Sequence, residues 1–287
     1  MILKRQEKRD VMSKIKLIVT DLDGTLLNDE KKVSAYTVEM IQKAKAAGIK
    51  ICIASGRFDG MLSIYRDSIL GCDYTISCNG AVVKNENSNQ FLLVNALSHE
   101  NTIKILTYFK EQQLTFMFYS PDTIYYEAGK AKMAKRVTDY EQLAQSLGFP
   151  KKLKVETVDL TKPFDSYHNI IKIVAYEHEA EKLSALRAYC DTLENCCMEA
   201  TGYGIYGLFE KNVSKREGIE VIKKEMGIGN DAVAVFGDWE NDLSMFDCAD
   251  TRVAMVNGME IVKERATIIA ESNNDDGVAK VIASFID

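Results

Sequence analysis

Two carboxylates stand two residues apart at the end of an aliphatic run: Asp21 and Asp23 follow Leu17-Ile18-Val19. On extended backbone, side chains i and i+2 point the same way, so the two carboxylates converge. Such a pair reads either as a solvated turn or as a divalent-metal site. Gly24 permits a sharp turn there, and Thr25 can hydrogen-bond it. A second aliphatic run, Ile49–Ala54, ends in Ser55-Gly56-Arg57. A serine hydroxyl and backbone N–H groups at a helix start form an anion site, although Ser55 can equally be a plain helix cap. A third run, Ala232–Phe236, ends in Gly237-Asp238-Trp239-Glu240-Asn241-Asp242. Carboxylates gathered on neighbouring strand ends repel one another without a cation. Oxygen-only donors then point to a hard divalent ion. The alternative is that Asp238 and Asp242 cap the helix around Leu243–Phe246.

The elements that position these groups read as an α/β protein. Aliphatic runs bounded by turns are buried parallel strands, and ligands bind beyond their carboxyl ends. Between the first two strands, Ser34 caps a helix that runs to Ala47 and stops at Gly48. The β-α-β order implies a right-handed crossover, which brings Ser55 to the same edge as Asp21. A helix over 60–70 leads to a third strand at 73–77. Cys78-Asn79-Gly80-Ala81 follows, with Asn-Gly a strong turn signal. From 85, where a polar connector NENSNQ begins, strand-like and helix-like stretches alternate to 206: an inserted α+β domain. The α/β pattern then resumes. The expected organisation is a discontinuous core at 13–84 and 207–287, a doubly wound Rossmann-like parallel sheet, interrupted by a cap at 85–206. Residues 1–12 read as a flexible leader. Tyr125, Tyr126, Tyr203 and Tyr206 either line a ligand mouth or cover a sheet face.

The chain has 287 residues, a net charge of −6 and an ordinary globular composition with 46% hydrophobic residues. That balance carries no electrostatic footprint for nucleic acid or an anionic membrane. No apolar run reaches the ~18–20 residues of a membrane helix, and the charged N-terminus is not a secretion signal. Seven cysteines, without a CxxC spacing, fit a reducing cytoplasm better than a disulfide framework. The three histidines have no metal or triad spacing, so the chemistry falls to carboxylates.

Asp21-Leu22-Asp23-Gly24-Thr25-Leu26 resembles the DxDGT signature of the haloacid dehalogenase superfamily. Ser55, Lys215 in Val213-Ser214-Lys215-Arg216, and the string Gly237–Asp242 fall in the family's motif order. The size and place of the insertion are similar to the large-capped Cof-type phosphatases. Two positions depart from the usual pattern: Arg216 and Trp239 stand where glycine is common. The resemblance implies a phosphatase acting on small phosphorylated metabolites, sugar phosphates foremost, through an aspartyl-phosphate. Asp21 would be the nucleophile and Asp23 the acid–base. Ser55, Gly56, Lys215 and Asn241 would bind phosphate. Asp21, Asp23 (through its carbonyl) and Asp238 would hold Mg²⁺, supported by Asp242 and Thr25. Arg57 and Asn79 would face substrate. A phosphomutase of the same superfamily, or a non-catalytic binding protein with the fold, are the competing readings. A cytoplasmic monomer or weak homodimer is expected.

Overall fold

The computed structural model describes residues 15–200 and 205–286. The leader expected at 1–12 and Tyr203 lie outside them. Two compact units form: the first contains residues up to Ser55, Tyr65–Leu93 and Ser214 onward, and the second contains Gly56–Ile64 and Val94–Val213.

The first unit is built on an eight-stranded sheet. Its strands are β1 (Leu17–Thr20), β2 (Lys50–Ala54), β3 (Tyr74–Ser77), β4 (Val82–Asn85) and β5 (Gln90–Val94), then β12 (Val233–Gly237), β13 (Thr251–Met255) and β14 (Ile268–Ala270). Their spatial order is β14-β13-β12-β1-β2-β3-β4-β5. Pairing is parallel from β14 to β3 and turns antiparallel at β4. The sheet is therefore the expected parallel core, extended at one edge by β4, which pairs antiparallel. The segment NENSNQ is the turn of the β4–β5 hairpin rather than a link between domains. Strands β1 to β3 run outward on one side of β1, and β12 to β14 on the other. The chain order thus reverses between β1 and β12, which is where open α/β sheets form their ligand crevice.

Helices cover both faces because both faces are apolar. Leu17 and Val19 cluster with Ile219, Ile222, Met245, Phe246 and Val262. Helix α1 (Ala35–Ala46) instead buries Thr37, Met40, Ile41 and Ala44 and packs with the C-terminal helix Gly277–Ile286. Ser34 caps α1 by accepting from Thr37 N at 3.0 Å. The helix expected over 60–70 is irregular: a 3₁₀ turn at Asp59–Leu62, then a wide π-type coil over Ile64–Leu70. The change of unit at 64/65 falls one residue into that coil.

The second unit holds a six-stranded sheet ordered β10-β11-β9-β6-β7-β8, from Thr115–Tyr119 (β6), Ile124–Glu127 (β7), Val155–Val158 (β8), Lys172–Tyr176 (β9), Cys196–Ala200 (β10) and Ile205–Glu210 (β11). All its pairings are antiparallel except β7–β8. Its helices are α2 (His99–Glu111), α3 (Ala131–Ser146) and α4 (Ala180–Asp191). Tyr125 stacks on Phe118 with ring centroids 4.9 Å apart and meets Tyr167 edge-on, so this tyrosine covers the sheet. Strand β8 and the full extent of β11 have no counterpart in the sequence reading.

Candidate active site

The site is assembled at the reversal point. Asp21 directly follows β1, where its N–H donates to Phe236 O at 3.0 Å, so β1 and β12 are joined up to the carboxyl edge. Asp238 directly follows β12. Helix α5 (Lys215–Met226) starts at Ser214, whose Oγ accepts from Glu217 N. This start survives Arg216 in the usual glycine's place, since the Arg216 side chain lies half-exposed towards Asp247.

Lys215 is wholly buried, with Nζ donating to Asp21 Oδ1 and to Asp242 Oδ1, both at 2.6 Å. The other oxygen of Asp242 accepts from Asp238 N at 2.9 Å and Trp239 N at 3.1 Å. Asp242 thus orients both the lysine and the turn that carries Asp238. Thr25 Oγ1 donates to Asp238 Oδ1 at 2.6 Å. Gly24 has φ +84, and a Cβ there would come within 2.4 Å of Asp238 Oδ2. No side chain fits between the two motifs.

Asp21, Asp238 and Asp242 are all buried and each offers an oxygen within 4.8 Å of the others. One ammonium faces these three carboxylates. Burial pushes Asp21 up to about 8, with Lys215 opposing and Asp242 and Asp238 adding to the rise. Burial pushes Asp238 up to about 6, opposed by the Thr25 hydrogen bond. Burial opposes the charge on Lys215, but Asp21 and Asp242 hold it protonated, with the net shift upward. A hard divalent cation fits this donor set: oxygen donors, excess negative charge and a narrow space kept open by Gly24.

A second group borders the cluster. Ser55 is buried; its N–H donates to Ile76 O at 2.8 Å and its carbonyl accepts from Asn79 N at 3.0 Å. Asn79 has φ +59, and its Oδ1 accepts from Asn241 Nδ2 at 3.3 Å. Gly80, at φ +109, packs so closely on Ser214 that a Cβ would sit 2.0 Å from Ser214 O. The backbone thereby links the Ser55, Asn79 and Lys215 turns.

The other expected residues have contacts of their own. Asp23 is half-buried and its carboxylate pairs with Lys31 at 2.8 Å, outside the three clustered carboxylates; the metal ligand expected of this residue is its backbone carbonyl. Gly56 and Arg57 belong to the second unit, where Gly56 O accepts from Lys172 Nζ at 3.4 Å. Trp239 is 59% exposed. The sequence reading missed Lys31, for which no spacing signal exists. It also gave no role to Asn257, whose Nδ2 donates to Gly24 O at 2.8 Å. The Asn257-Gly258 turn at the end of β13 was the available signal. It also presents Met259 N to Asp238 O at 2.9 Å.

The profile of the haloacid dehalogenase-like hydrolases matches residues 18–282, and the chain belongs to that family. Within it, the chain is a Cof-type phosphatase, a phosphoric monoester hydrolase with an inserted cap. It is 26% identical over 285 residues to the 5-amino-6-(5-phospho-D-ribitylamino)uracil phosphatase YwtE of Bacillus subtilis, covering 95% of this chain and 98% of that one. A haloacid dehalogenase-like hydrolase from Bacteroides thetaiotaomicron superposes with a TM-score of 0.81 at 26% identity, over 94% of this chain and 99% of the other. The subclass IIB sugar phosphatase BT4131 shares the fold with a TM-score of 0.73 at 24% identity, over 95% and 100% of the two chains. Among the described residues, no helix is long and apolar enough to cross a membrane.

Proposed function

We propose that the chain is a Mg²⁺-dependent phosphatase that hydrolyses small phosphorylated metabolites, sugar phosphates foremost, through an aspartyl-phosphate on Asp21. The observation that carries this reading is the Asp21 carboxylate, fixed 2.6 Å from the buried Lys215 beside Asp238 and Asp242. A nucleophile held in one orientation, with cationic charge beside it, suits in-line phosphoryl transfer.

Asp21 attacks phosphorus, the bond to the leaving oxygen breaks, and Asp23 delivers a proton to that oxygen. Asp23 then takes a proton from water, whose oxygen attacks the same phosphorus and releases Asp21 and inorganic phosphate. The Lys31 ion pair has to loosen for Asp23 to serve in both directions. Lys215, Ser55, the Gly56 amide and Asn241 hold the phosphoryl oxygens. Asp21, Asp238 and the carbonyl of Asp23 would hold Mg²⁺, which when bound offsets the charge of the carboxylates and of the phosphoryl group. Thr25 and Asp242 keep Asp238 and Lys215 oriented. Arg57 and Asn79 contact the leaving group, and the inserted cap selects it. The ribitylaminouracil and sugar phosphatase relatives support a polyol or sugar phosphate as substrate.

The test is phosphate release from a panel of sugar, polyol and nucleoside monophosphates, with Mg²⁺ and with EDTA. Metal-dependent release without isomer formation is expected. Isomerisation without release would indicate a mutase, and ligand binding without any turnover would indicate a non-catalytic protein.

A further inference from the structure

The second unit contains a chemical feature that phosphoryl transfer does not use. Cys190 is the penultimate residue of α4 and Cys196 opens β10, with only residues 191–195 between them. Their Sγ atoms are 3.5 Å apart and hydrogen-bonded. Both side chains are buried in the second unit's core with Leu186 and Leu208. The neighbouring Cys197 faces elsewhere, its thiol donating to Glu210 O at 3.8 Å. Buried cysteines commonly behave as small hydrophobes, but two thiols paired in this way are also one S–S bond short of a disulfide. A disulfide requires the sulfurs to close to about 2.05 Å. A cavity of about 820 Å³ is lined by Thr192, Leu193, Glu194, Asn195 and Glu210, so solvent reaches the turn joining the two cysteines.

We infer that Cys190 and Cys196 are a dithiol modification site, converted by hydroperoxides to a reversible disulfide within the second unit. Because the two thiols share one hydrogen bond, either can be the first to react, and the steps that start from Cys190 mirror those that start from Cys196. The thiolate, not the thiol, is the nucleophile. An S–O bond forms at Cys190 as the peroxide O–O bond breaks, giving a sulfenic acid and an alcohol or water. Cys196 then attacks the Cys190 sulfur, the S–S bond forms, and the hydroxyl leaves as water with the Cys196 proton. The two thiols lose two electrons and the peroxide gains them. A reducing cytosol returns the pair to thiols, so the disulfide would be transient there.

Trypsin cleavage after Arg187 and Lys211 leaves Cys190, Cys196 and Cys197 on one peptide, 188–211. The experiment treats the folded full-length protein with hydrogen peroxide, alkylates free thiols without reduction, and fragments this peptide. Loss of two hydrogens between Cys190 and Cys196, with alkylation at Cys197 alone, is the expected result. Dithiothreitol should restore three alkylated cysteines. Cys197→Ser should leave the crosslink intact and Cys196→Ser should abolish it. Three alkylated cysteines after peroxide, or a bond that includes Cys197, would overturn the proposal. Because the readout is covalent mapping, it stands apart from any result on phosphatase activity.

Discussion

Lys215 Nζ lies 2.6 Å from Asp21 Oδ1 and, on its other side, 2.6 Å from Asp242 Oδ1. A buried ammonium shared between two buried carboxylates has nowhere to go if either is removed. Lys215→Met should therefore abolish turnover and also destabilise the fold. Breaking a buried ion pair costs about 3–5 kcal/mol, since the partner charges are left uncompensated. The loss should be larger at pH 8 than at pH 5, because protonation relieves stranded carboxylates. Thermal unfolding at the two pH values checks this; an equal loss at both would show that Lys215 serves packing alone.

The acid cluster also sets a pH dependence for the metal-free protein. Asp21 and Asp238 are pushed up to about 8 and about 6 in the folded state. In the unfolded chain both ionise near 4. Between those values the folded state holds more protons, so stability falls as pH rises. Unfolding temperature in EDTA should decline from pH 5 to pH 8. Added Mg²⁺ should raise it more at pH 8 than at pH 5, since ionised carboxylates are what a cation binds. The reverse order would refute the cluster as a metal site.

Gly24 and Gly48 both have φ near +85, but only Gly24 is crowded: a Cβ there meets Asp238, whereas nothing lies within 4 Å of one at Gly48. Gly48→Ala should cost only the left-handed backbone penalty, about 1–2 kcal/mol, with activity intact. Gly24→Ala should displace the Asp238 carboxylate and remove most activity. Circular dichroism melts and phosphate release on the two variants separate backbone strain from site damage.

Thr25→Val removes the hydroxyl donor to Asp238 Oδ1 with little change in volume. A hydrogen bond to a charged group contributes about 1.5–3 kcal/mol, so Mg²⁺ affinity should fall measurably. Trp239, the sole tryptophan, stands one residue from Asp238, and its emission during a Mg²⁺ titration gives the readout. Unchanged affinity would remove Thr25 from the supporting set.

Much of this was legible in the chain because strand ends announce themselves. Leu17–Thr20 and Val233–Gly237 are aliphatic runs that stop at Gly- and Asp-rich turns, and the acids at those stops are the ones that meet. What periodicity could not reveal depends on pairing across long separations. Nothing local shows that the Asp242 carboxylate joins those of Asp21 and Asp238, because this follows from the turn 238–242 folding back on its own amides. Lys31 reaches Asp23 through a loop with φ +60 at the lysine itself, which its residue type does not predict. The segment 85–90 reads as a connector because its polar residues mask the turn of a hairpin. Strand β8, only four residues long with two exposed, lacks the alternation that marks a strand.

The most direct test of Asp21 as nucleophile is to trap its phosphorylated form. The Asp23→Asn variant would be mixed with p-nitrophenyl phosphate and Mg²⁺, quenched in acid and mapped by mass spectrometry. That leaving group departs without a proton, so phosphorylation proceeds while hydrolysis lacks its base. The predicted result is a mass gain of one phosphoryl group on the peptide containing Asp21. Adding Asp21→Asn should remove that gain, and Asp21→Asn alone should lower turnover at least about 10³-fold. Turnover by Asp21→Asn close to that of the unsubstituted protein, or a phosphoryl group on another residue, would contradict the account.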